Sequence, residues 1–204
     1  MRNNGTGNLL AMAVLSLLRE RPMHPYEISS VMRERNISGS IKLNFGSLYS
    51  VIEGLQKKGF IEKRATEREG NHPERTVYAV TESGSIELLE QLRSLLSEPR
   101  KEYTSFAAAL DFIAHLEPAE VLKLLRDRES ALRGKIAEEE STYSTLVRGG
   151  LEELFLIDVD FELALKRAEL DWVLKLKQKI AGEVFTAEKE GSLKWRFLEV
   201  GAGS

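Results

Sequence analysis

Apolar residues recur at helical spacing through the first part of the chain. The run from Leu9 to Leu18 is almost wholly apolar and predicts a buried helix that stops before Pro22. A second helix is expected to begin at His24–Pro25, because proline suits the first helical turn, and to end near Asn36. Its inward residues are predicted to be Tyr26, Ile28, Val31 and Met32.

The stretch NFGSLYSVIEGLQKKGF, residues 44–60, predicts a third helix, with Asn44 as its N-cap and Gly59 as its C-cap. At about 100° per residue, one face is a core stripe; it consists of Phe45, Leu48, Val51, Ile52 and Leu55. The opposite face carries Gly46, Ser50, Glu53 and Lys57, and the flanks carry Ser47, Tyr49 and Gly54. The preceding segment, ISGSIKL, predicts a short connection, with a strand at 41–43 left open.

The pattern then changes to alternation. FIEKRA and RTVYAV predict two strands, and the polar segment ATEREGNHPE joins them as a hairpin. Thr81 is expected to cap a fourth helix that runs to about Leu96. Three helices, a hairpin and a helix follow each other in the order of a winged helix-turn-helix domain.

Beyond Pro99 the pattern is helical. A helix from Tyr103 to Leu116 has one apolar face, formed by Phe106, Ala109, Leu110 and Ile113. A long helix follows Glu117–Pro118 with apolar residues near heptad spacing, interrupted by Glu129 and Glu139; these apolar residues are Leu122, Leu125, Leu132, Ile136, Tyr143 and Leu146. After a turn at Gly149–Gly150, a last helix carries the stripe Phe161, Leu165, Ala168, Trp172, Leu176 and Ile180.

The two long helices are expected to form an antiparallel hairpin. Such a hairpin cannot cover all of its own apolar surface, so a second copy of the chain is the natural cover. The predicted fold is therefore mainly α (α+β), with a winged helix-turn-helix domain at 1–98 and an all-helical dimerisation domain at 99–183. The tail at 184–204 is short and amphipathic, and both docking and disorder are left open.

Composition adds limits to this picture. The 204 residues include no cysteine, which excludes disulfides and thiolate chemistry. The net charge of −3 is uneven: residues 1–80 hold 12 basic and 8 acidic side chains (+4), and the remainder holds 17 and 24 (−7). No apolar run reaches the ~20 residues that span a bilayer. A buried first helix is preferred to a signal peptide, since no small-residue cleavage site follows it.

The outer face of the third helix has the chemistry of a DNA-reading surface. A recognition helix presents its N-terminal residues to base edges, while flanking groups hold phosphates. Small residues allow close approach, Ser47 and Ser50 can pair with bases, Tyr49 can reach the backbone, and Lys57 and Lys58 can anchor phosphates. The alternative is an ordinary solvated helix face.

The wing is expected at GNHPE, with Arg68 before it and Arg75 after it. Four residues here are of types that contact phosphates or the minor groove: Arg68, Asn71, His72 and Arg75. Three glutamates are interleaved with them (Glu67, Glu69 and Glu74), and these oppose phosphate. An ordinary polar turn is the alternative interpretation.

HPYEI, FGSLYSVIEGLQKKGFIE and NHPERTVYAVTESG, at these separations, resemble the PadR family of bacterial transcriptional regulators. Residues 46–49 match its Gly-small-Leu-Tyr motif, and residues 59–61 match the glycine and two apolar residues that start the wing. Arg75, Tyr78, Thr81 and Gly84 match a third motif. The resemblance covers residues 9–96; beyond them the chain is similar in architecture to the larger branch. Gly54 departs from the family pattern, which favours a larger polar or cationic residue there.

The resemblance implies a cytoplasmic homodimer, usually a repressor, that binds double-stranded DNA at a palindromic operator. The implied DNA-contacting residues are Tyr26, Asn44, Gly46, Ser47, Tyr49, Ser50, Lys57, Lys58, Arg68, Asn71, His72 and Arg75. Family members commonly release DNA when a small aromatic or hydrophobic effector binds at the dimer interface or between the two parts. Candidate dimer or effector residues are Tyr103, Phe106, Tyr143, Phe161, Leu165 and Trp172. Plain core packing is the favoured alternative for Tyr103, Phe106, Tyr143 and Trp172.

Other functional classes find less support. The three histidines, His24, His72 and His115, lie in three different elements without metal-ligand spacing. No nucleophile–base pair and no phosphate-binding loop is recognisable, so an enzyme, a metal and a cofactor are not expected. A winged helix that binds proteins instead of DNA is the second hypothesis, because acidic residues surround the wing. A DNA mobility shift separates the two.

Overall fold

A computed structural model describes residues 9–35, 37, 45–67, 75–182, 184–189 and 191–196. The chain forms two compact units, Met1–Lys101 and Glu102–Ser204. No helix within the described ranges is both long enough and apolar enough to cross a membrane.

The first unit has the predicted winged helix-turn-helix order. Its elements are α1 (Leu9–Glu20), α2 (Pro25–Glu34), α3 (Phe45–Lys57), β1 (Ile61–Glu67), β2 (Arg75–Val80) and α4 (Glu82–Ser97). One hydrophobic core joins them: α1 supplies seven buried residues, and Ile28, Leu48, Ile61 and Leu88 come from the other elements. The predicted capping of α3 by Asn44 and the strand at 41–43 lie outside the described residues.

Helix α2 begins at a capping box. The Nδ1 atom of His24 accepts a hydrogen bond from the backbone N–H of Tyr26, and the Glu27 carboxylate accepts one from the backbone N–H of His24. Ile28 and Met32 are buried as predicted. Tyr26, which was expected to face inward as well, is instead 63% exposed. The buried face of α2 is formed by Pro25, Ile28 and Met32, and Tyr26 lies about 200° around the helix from Ile28, on the opposite side.

The wing strands β1 and β2 are antiparallel, with a register shift between Lys63 and Ala65. A single residue from the α1–α2 connection extends this ladder: Met23 and Tyr78 exchange two backbone hydrogen bonds of 3.0 Å. Strand β2 is therefore held from both sides, and its position relative to the helices is fixed.

Backbone contacts tie the end of α3 to the start of α4. Gly59 has φ +73° and ends α3 in a Schellman motif, in which the Phe60 N–H reaches the Leu55 carbonyl at 3.0 Å. The Thr81 hydroxyl caps α4 and donates to the Gly59 carbonyl at 2.7 Å. A Cβ atom on Gly84 would lie 2.0 Å from the Phe60 carbonyl oxygen, so only glycine fits there. Gly59, Thr81 and Gly84, which belong to the 59–61 and 75–84 motifs, therefore have structural roles.

The second unit is a helical hairpin with short additions. Its elements are α5 (Ser105–Asp111), a 3₁₀ turn (Ile113–His115), α6 (Pro118–Arg148), a second 3₁₀ turn (Glu153–Leu156), α7 (Ile157–Ala181), β3 (Thr186–Lys189) and β4 (Ser192–Trp195). The predicted helix from Tyr103 to Leu116 is shorter than expected. It starts only after the Thr104 cap, and it breaks at Phe112, whose φ of −116° is not helical.

The antiparallel packing of α6 and α7 agrees with the prediction, and its polar positions are matched across the seam. Glu129 pairs with Lys177, and Glu139 pairs with Lys166 at 3.1 Å. Val173 and Ile180 of α7 are buried with Leu125 and Leu132 of α6. The predicted α7 stripe behaves differently: Phe161, Leu165, Ala168 and Trp172 are exposed, and only its end, Leu176 and Ile180, turns inward.

The tail forms a β-hairpin that the sequence left open. Strands β3 and β4 pair from Thr186 with Trp195 to Lys189 with Ser192, and Gly191 takes φ +77° in the turn. The buried Thr186 hydroxyl donates to the Ile180 carbonyl at 2.8 Å, and the Trp195 indole donates to the Leu116 carbonyl at 2.7 Å. These bonds anchor the hairpin to the end of α7 and to the turn before α6.

Candidate nucleic-acid interface

The orientation of α3 follows from its apolar stripe. Leu48, Ile52 and Leu55 are at most 5% exposed, and Val51 is half-buried. The inner face is therefore the predicted one; the side chain of Phe45 lies outside the described residues. Because the core holds three successive turns, the opposite face of the helix is turned to solvent.

The N-terminal half of that outer face is small and polar. Gly46, Ser47 and Ser50 are exposed, and Tyr49 is 49% exposed on the flank. The Ser50 hydroxyl donates to the Gly46 carbonyl at 3.1 Å, so in this conformation its oxygen is available as an acceptor. The outer face of the first turns of α3 therefore carries only small side chains, with the Tyr49 ring at its edge.

Two lysines follow at the C-terminal end of α3. Both side chains are exposed, and the Lys58 ammonium lies 5.9 Å from the centre of the Phe60 ring. The Lys57 ammonium has no ion-pair partner among the residues that the structure describes. Cations at a helix C-terminus also suit the helix dipole, so their position alone does not prove a phosphate contact.

Gly54 lies next to the outer face and is half-buried. A Cβ atom at this position would have no protein atom within 4 Å. Packing within the unit therefore does not require glycine here, whereas it does require glycine at Gly84.

A cluster of polar groups joins α3 to the wing. Burial raises the pKa of the Tyr78 hydroxyl, and the nearby Glu53 carboxylate and Tyr49 hydroxyl raise it further. Tyr78 therefore remains neutral at physiological pH. Tyr49 and Glu53 of α3 therefore lie close enough to Tyr78 of β2 to affect its ionisation.

The wing itself is described only in part. Arg68, Asn71 and His72 lie outside the described residues, as does Asn44, and for Arg75 only the backbone is described. Their roles stay predictions. Lys63, which the sequence analysis did not single out, is exposed on β1 and lies opposite the motif residue Tyr78 in the ladder.

Two of the residues predicted for dimerisation or effector binding, Phe106 and Trp172, are in ring contact. The Phe106 and Trp172 rings meet edge to face at 5.9 Å between centroids, and the Arg128 guanidinium lies 3.5 Å from the centre of the Phe106 ring. Tyr143 is half-buried on α6, where burial raises its hydroxyl pKa.

The remaining candidates are on the surface of the single chain. Tyr103 is 85% exposed, Phe161 60%, Leu165 50% and Trp172 44%. Core packing within one chain, the favoured alternative for Tyr103 and Trp172, is therefore wrong. A helical hairpin buries only the side that faces its partner helix, and the three α7 residues lie on its other side.

The first unit matches a known family. The model of the "Transcriptional regulator PadR-like family" matches residues 14–90, which run from α1 to the middle of α4. A comparison with curated proteins finds no match.

Solved structures match over most of the chain. PadR from Bacillus subtilis in complex with operator DNA is 22% identical, with a TM-score of 0.68 over 83% of this chain and 97% of that one. The same protein in complex with p-coumaric acid is 20% identical, with a TM-score of 0.67 over 85% and 99%. The protein smu.1604c from Streptococcus mutans is 22% identical, with a TM-score of 0.55 over 81% and 96%. At these identities the likeness establishes the fold, including a helical C-terminal part.

Proposed function

We propose that the chain is a homodimeric, ligand-responsive transcriptional regulator that binds duplex DNA; the match of its first unit to the PadR-like family supports this. The observation that carries the proposal is the difference between the buried and the exposed face of α3. Leu48, Ile52 and Leu55 fix it in the core, and the exposed side offers small residues followed by Lys57 and Lys58.

Helix α3 enters the major groove in this proposal. A helix fits the groove, and glycine and serine side chains let its backbone approach base edges. Ser47 and Ser50 take the base-reading positions, and Tyr49 borders the groove where it can reach phosphate or sugar. Lys57, Lys58 and Lys63 supply the charge that holds the phosphate backbone.

A homodimer is proposed from the surface of the second unit. The last 3₁₀ turn and α7 expose a series of large apolar side chains; they are Leu154, Phe155, Ile157, Phe161, Leu165 and Trp172. Exposed apolar area of this kind marks an interface with another protein surface. A second copy would cover it symmetrically, and the two recognition helices would then read a palindromic operator.

Regulation by a ligand is proposed from the relatives. The Bacillus subtilis protein has been solved both with operator DNA and with p-coumaric acid. By analogy this chain acts in the cytoplasm as a repressor that a small aromatic or hydrophobic compound releases, without catalysing a reaction. The second unit contains an aromatic cluster that includes Trp172 and Phe106, which suits such a compound.

A footprint on the DNA adjoining the chain's own gene tests the proposal. The expected result is protection of a palindrome, lost on addition of an effective aromatic compound and weakened steeply by salt, because phosphate contacts release counterions. Absence of any protected site, together with capture of a protein partner through the α3 surface, would favour the alternative of a protein-binding winged helix. The exposed carboxylates Glu53 and Glu62 are the observation that favours that alternative.

A further inference from the structure

We propose that a cleft within the second unit is a binding site for an aromatic anion, and that Arg196 selects the anion. The inference rests on the proposed function, because it assigns the effector to one site and one chemical class. The cleft lies between α5, α7 and the C-terminal β-hairpin, and all of its described lining residues belong to the second unit.

The C-terminal hairpin makes the cleft. Without it, the edge of α5 and the side of α7 would form an open surface. The anchors at Thr186 and Trp195 hold β3 and β4 against these elements, and the backbone N–H of Arg196 donates to the Phe185 carbonyl at 2.9 Å. An ion pair of 2.8 Å between Lys194 and Glu117 adds a third anchor to the start of α6.

The walls are aromatic and aliphatic. Trp172, Phe185 and Trp195 supply three rings, and Leu110, Ile113 and Leu176 fill the space between them. The volume is about 980 Å³, at the upper end of the range of roughly 300–1,000 Å³ for small-molecule sites. Rings recognise a flat hydrophobic molecule by stacking and edge contacts, so the occupant is aromatic.

The charge of the cleft is one-sided. Among the described residues that line it, Arg196 carries the only charged side chain, and its guanidinium has no ion pair within the described part of the chain. The Lys179 ammonium lies 5.5 Å from the centre of the Phe185 ring and adds positive charge nearby. A planar guanidinium at the rim of an apolar site fits a carboxylate or sulfonate, which it can bind through two parallel hydrogen bonds.

The occupied cleft would be coupled to the helical hairpin. Trp172 lines the cleft and also contacts Phe106, and the Arg128 guanidinium over Phe106 is paired with Glu169 of α7. A ligand that shifts Trp172 therefore acts on α5, α6 and α7 together. The same residue belongs to the exposed α7 face, which gives the ligand a route to the dimer surface.

Two dyes test the proposal on the full-length chain. 1-Anilinonaphthalene-8-sulfonate and N-phenyl-1-naphthylamine share one ring system, and only the first carries an anionic group. The chain has two tryptophans, Trp172 and Trp195, and both line the cleft. A dye bound there should accept energy from tryptophan, so the measurement is dye emission on tryptophan excitation during titration.

Arg196→Gln should weaken binding of the sulfonate dye about tenfold, because a charge-assisted pair is lost, and should leave the neutral dye unchanged. Arg126→Gln, which removes an exposed cation of α6 away from the cleft, is the matched control. Arg196→Lys should retain most of the affinity, which separates lost charge from a disturbed hairpin.

Equal affinity of Arg196→Gln and Arg126→Gln for the sulfonate dye would overturn the proposal, as would absence of energy transfer in the wild type. Loss of dye binding as the chain dimerises would also overturn it, since a second copy would then occupy the cleft. DNA binding is measured separately without dye. Its absence in the wild type would refute the proposed function and leave the dye result interpretable.

Discussion

The two units of the chain differ in how they bury apolar surface. Among the described residues of the first unit, fifteen buried hydrophobic side chains from α1, the α1–α2 connection, α2, α3, β1 and α4 form one cluster. The main cluster of the described part of the similarly long second unit has five. The second unit leaves large side chains such as Phe155 and Phe161 in solvent. The first unit therefore has a core sufficient for its own fold, whereas the second exposes apolar surface that another protein surface can cover.

The interface between α6 and α7 also differs from the core of the first unit in its polarity. The core of the first unit is apolar, but the helical hairpin includes the pairs Glu129–Lys177 and Glu139–Lys166 among its apolar residues. Partly buried pairs contribute little net stability, yet a shift of the helices would leave them unmatched. We infer that they fix the register of α7 on α6.

Phe161→Glu should give the largest effect, because it places a charge in the proposed dimer surface. The chain should become monomeric, and affinity for a palindromic duplex should fall about 100-fold through loss of bivalent binding. Light scattering and a mobility shift measure the two effects.

Gln178→Glu is the matched control for that variant, since it adds a charge to an exposed position of α7 outside the apolar stripe. It should remain dimeric. If Phe161→Glu also remains dimeric, the α7 surface is not the dimer interface. Dimerisation would then not explain why the second unit exposes large apolar side chains.

Gly84→Ala should destabilise the first unit by about 1–3 kcal/mol, the usual cost of overpacking, because the new methyl group meets the Phe60 carbonyl. Gly134→Ala is the counterpart in the second unit. It lies exposed inside α6 with no atom near its Cβ position, and it should stabilise the helix by about 0.5–1 kcal/mol. Thermal unfolding measures both, and shifts of the same sign would contradict the packing described here.

Tyr49→Ala should weaken DNA binding about tenfold, in the range of a single lost contact at the interface. Arg75→Ala is expected to act in the same direction. Neither should change the unfolding temperature appreciably, since Tyr49 is half in solvent and outside the core. Unchanged DNA affinity in both variants would remove α3 and the wing from the site.

Acid should weaken the helical hairpin. Hydrogen bonds from Lys177, and then from Arg133, lower the pKa of Glu129 below its ordinary value, against a smaller opposing effect of burial. A depressed carboxyl pKa stabilises the fold above the unfolded value of about 4.3, and that stability is lost as pH falls through the folded pKa. Circular dichroism against pH should show this loss in the wild type and a flatter profile in Glu129→Gln.

The sequence predicted the first unit well because its signals are local. Apolar spacing located α1 to α4, proline and threonine marked helix starts, and glycine marked the end of α3. Tyr26 was the exception. It was grouped with Ile28 on the inner face, although two residues correspond to about 200° around a helix and place the two side chains on opposite sides.

The second unit was harder to predict for a physical reason. Both sides of α7 carry apolar residues, and the strongest stripe, with Phe161 and Trp172, proved to be the exposed one. Lys166 and Lys177 belong to the packed side, but their partners lie on another helix and leave no local signal. For the C-terminal hairpin, the sequence offered little beyond Gly191 as a turn signal.

The mass of the complex between the chain and its footprinted duplex measures directly whether the chain binds DNA as a homodimer. Two copies of the 23.0 kDa chain are expected on each duplex. They should bind in one cooperative step, and the logarithm of the binding constant should fall linearly with the logarithm of salt concentration. One chain per duplex, or no complex at low salt, would contradict homodimeric DNA binding.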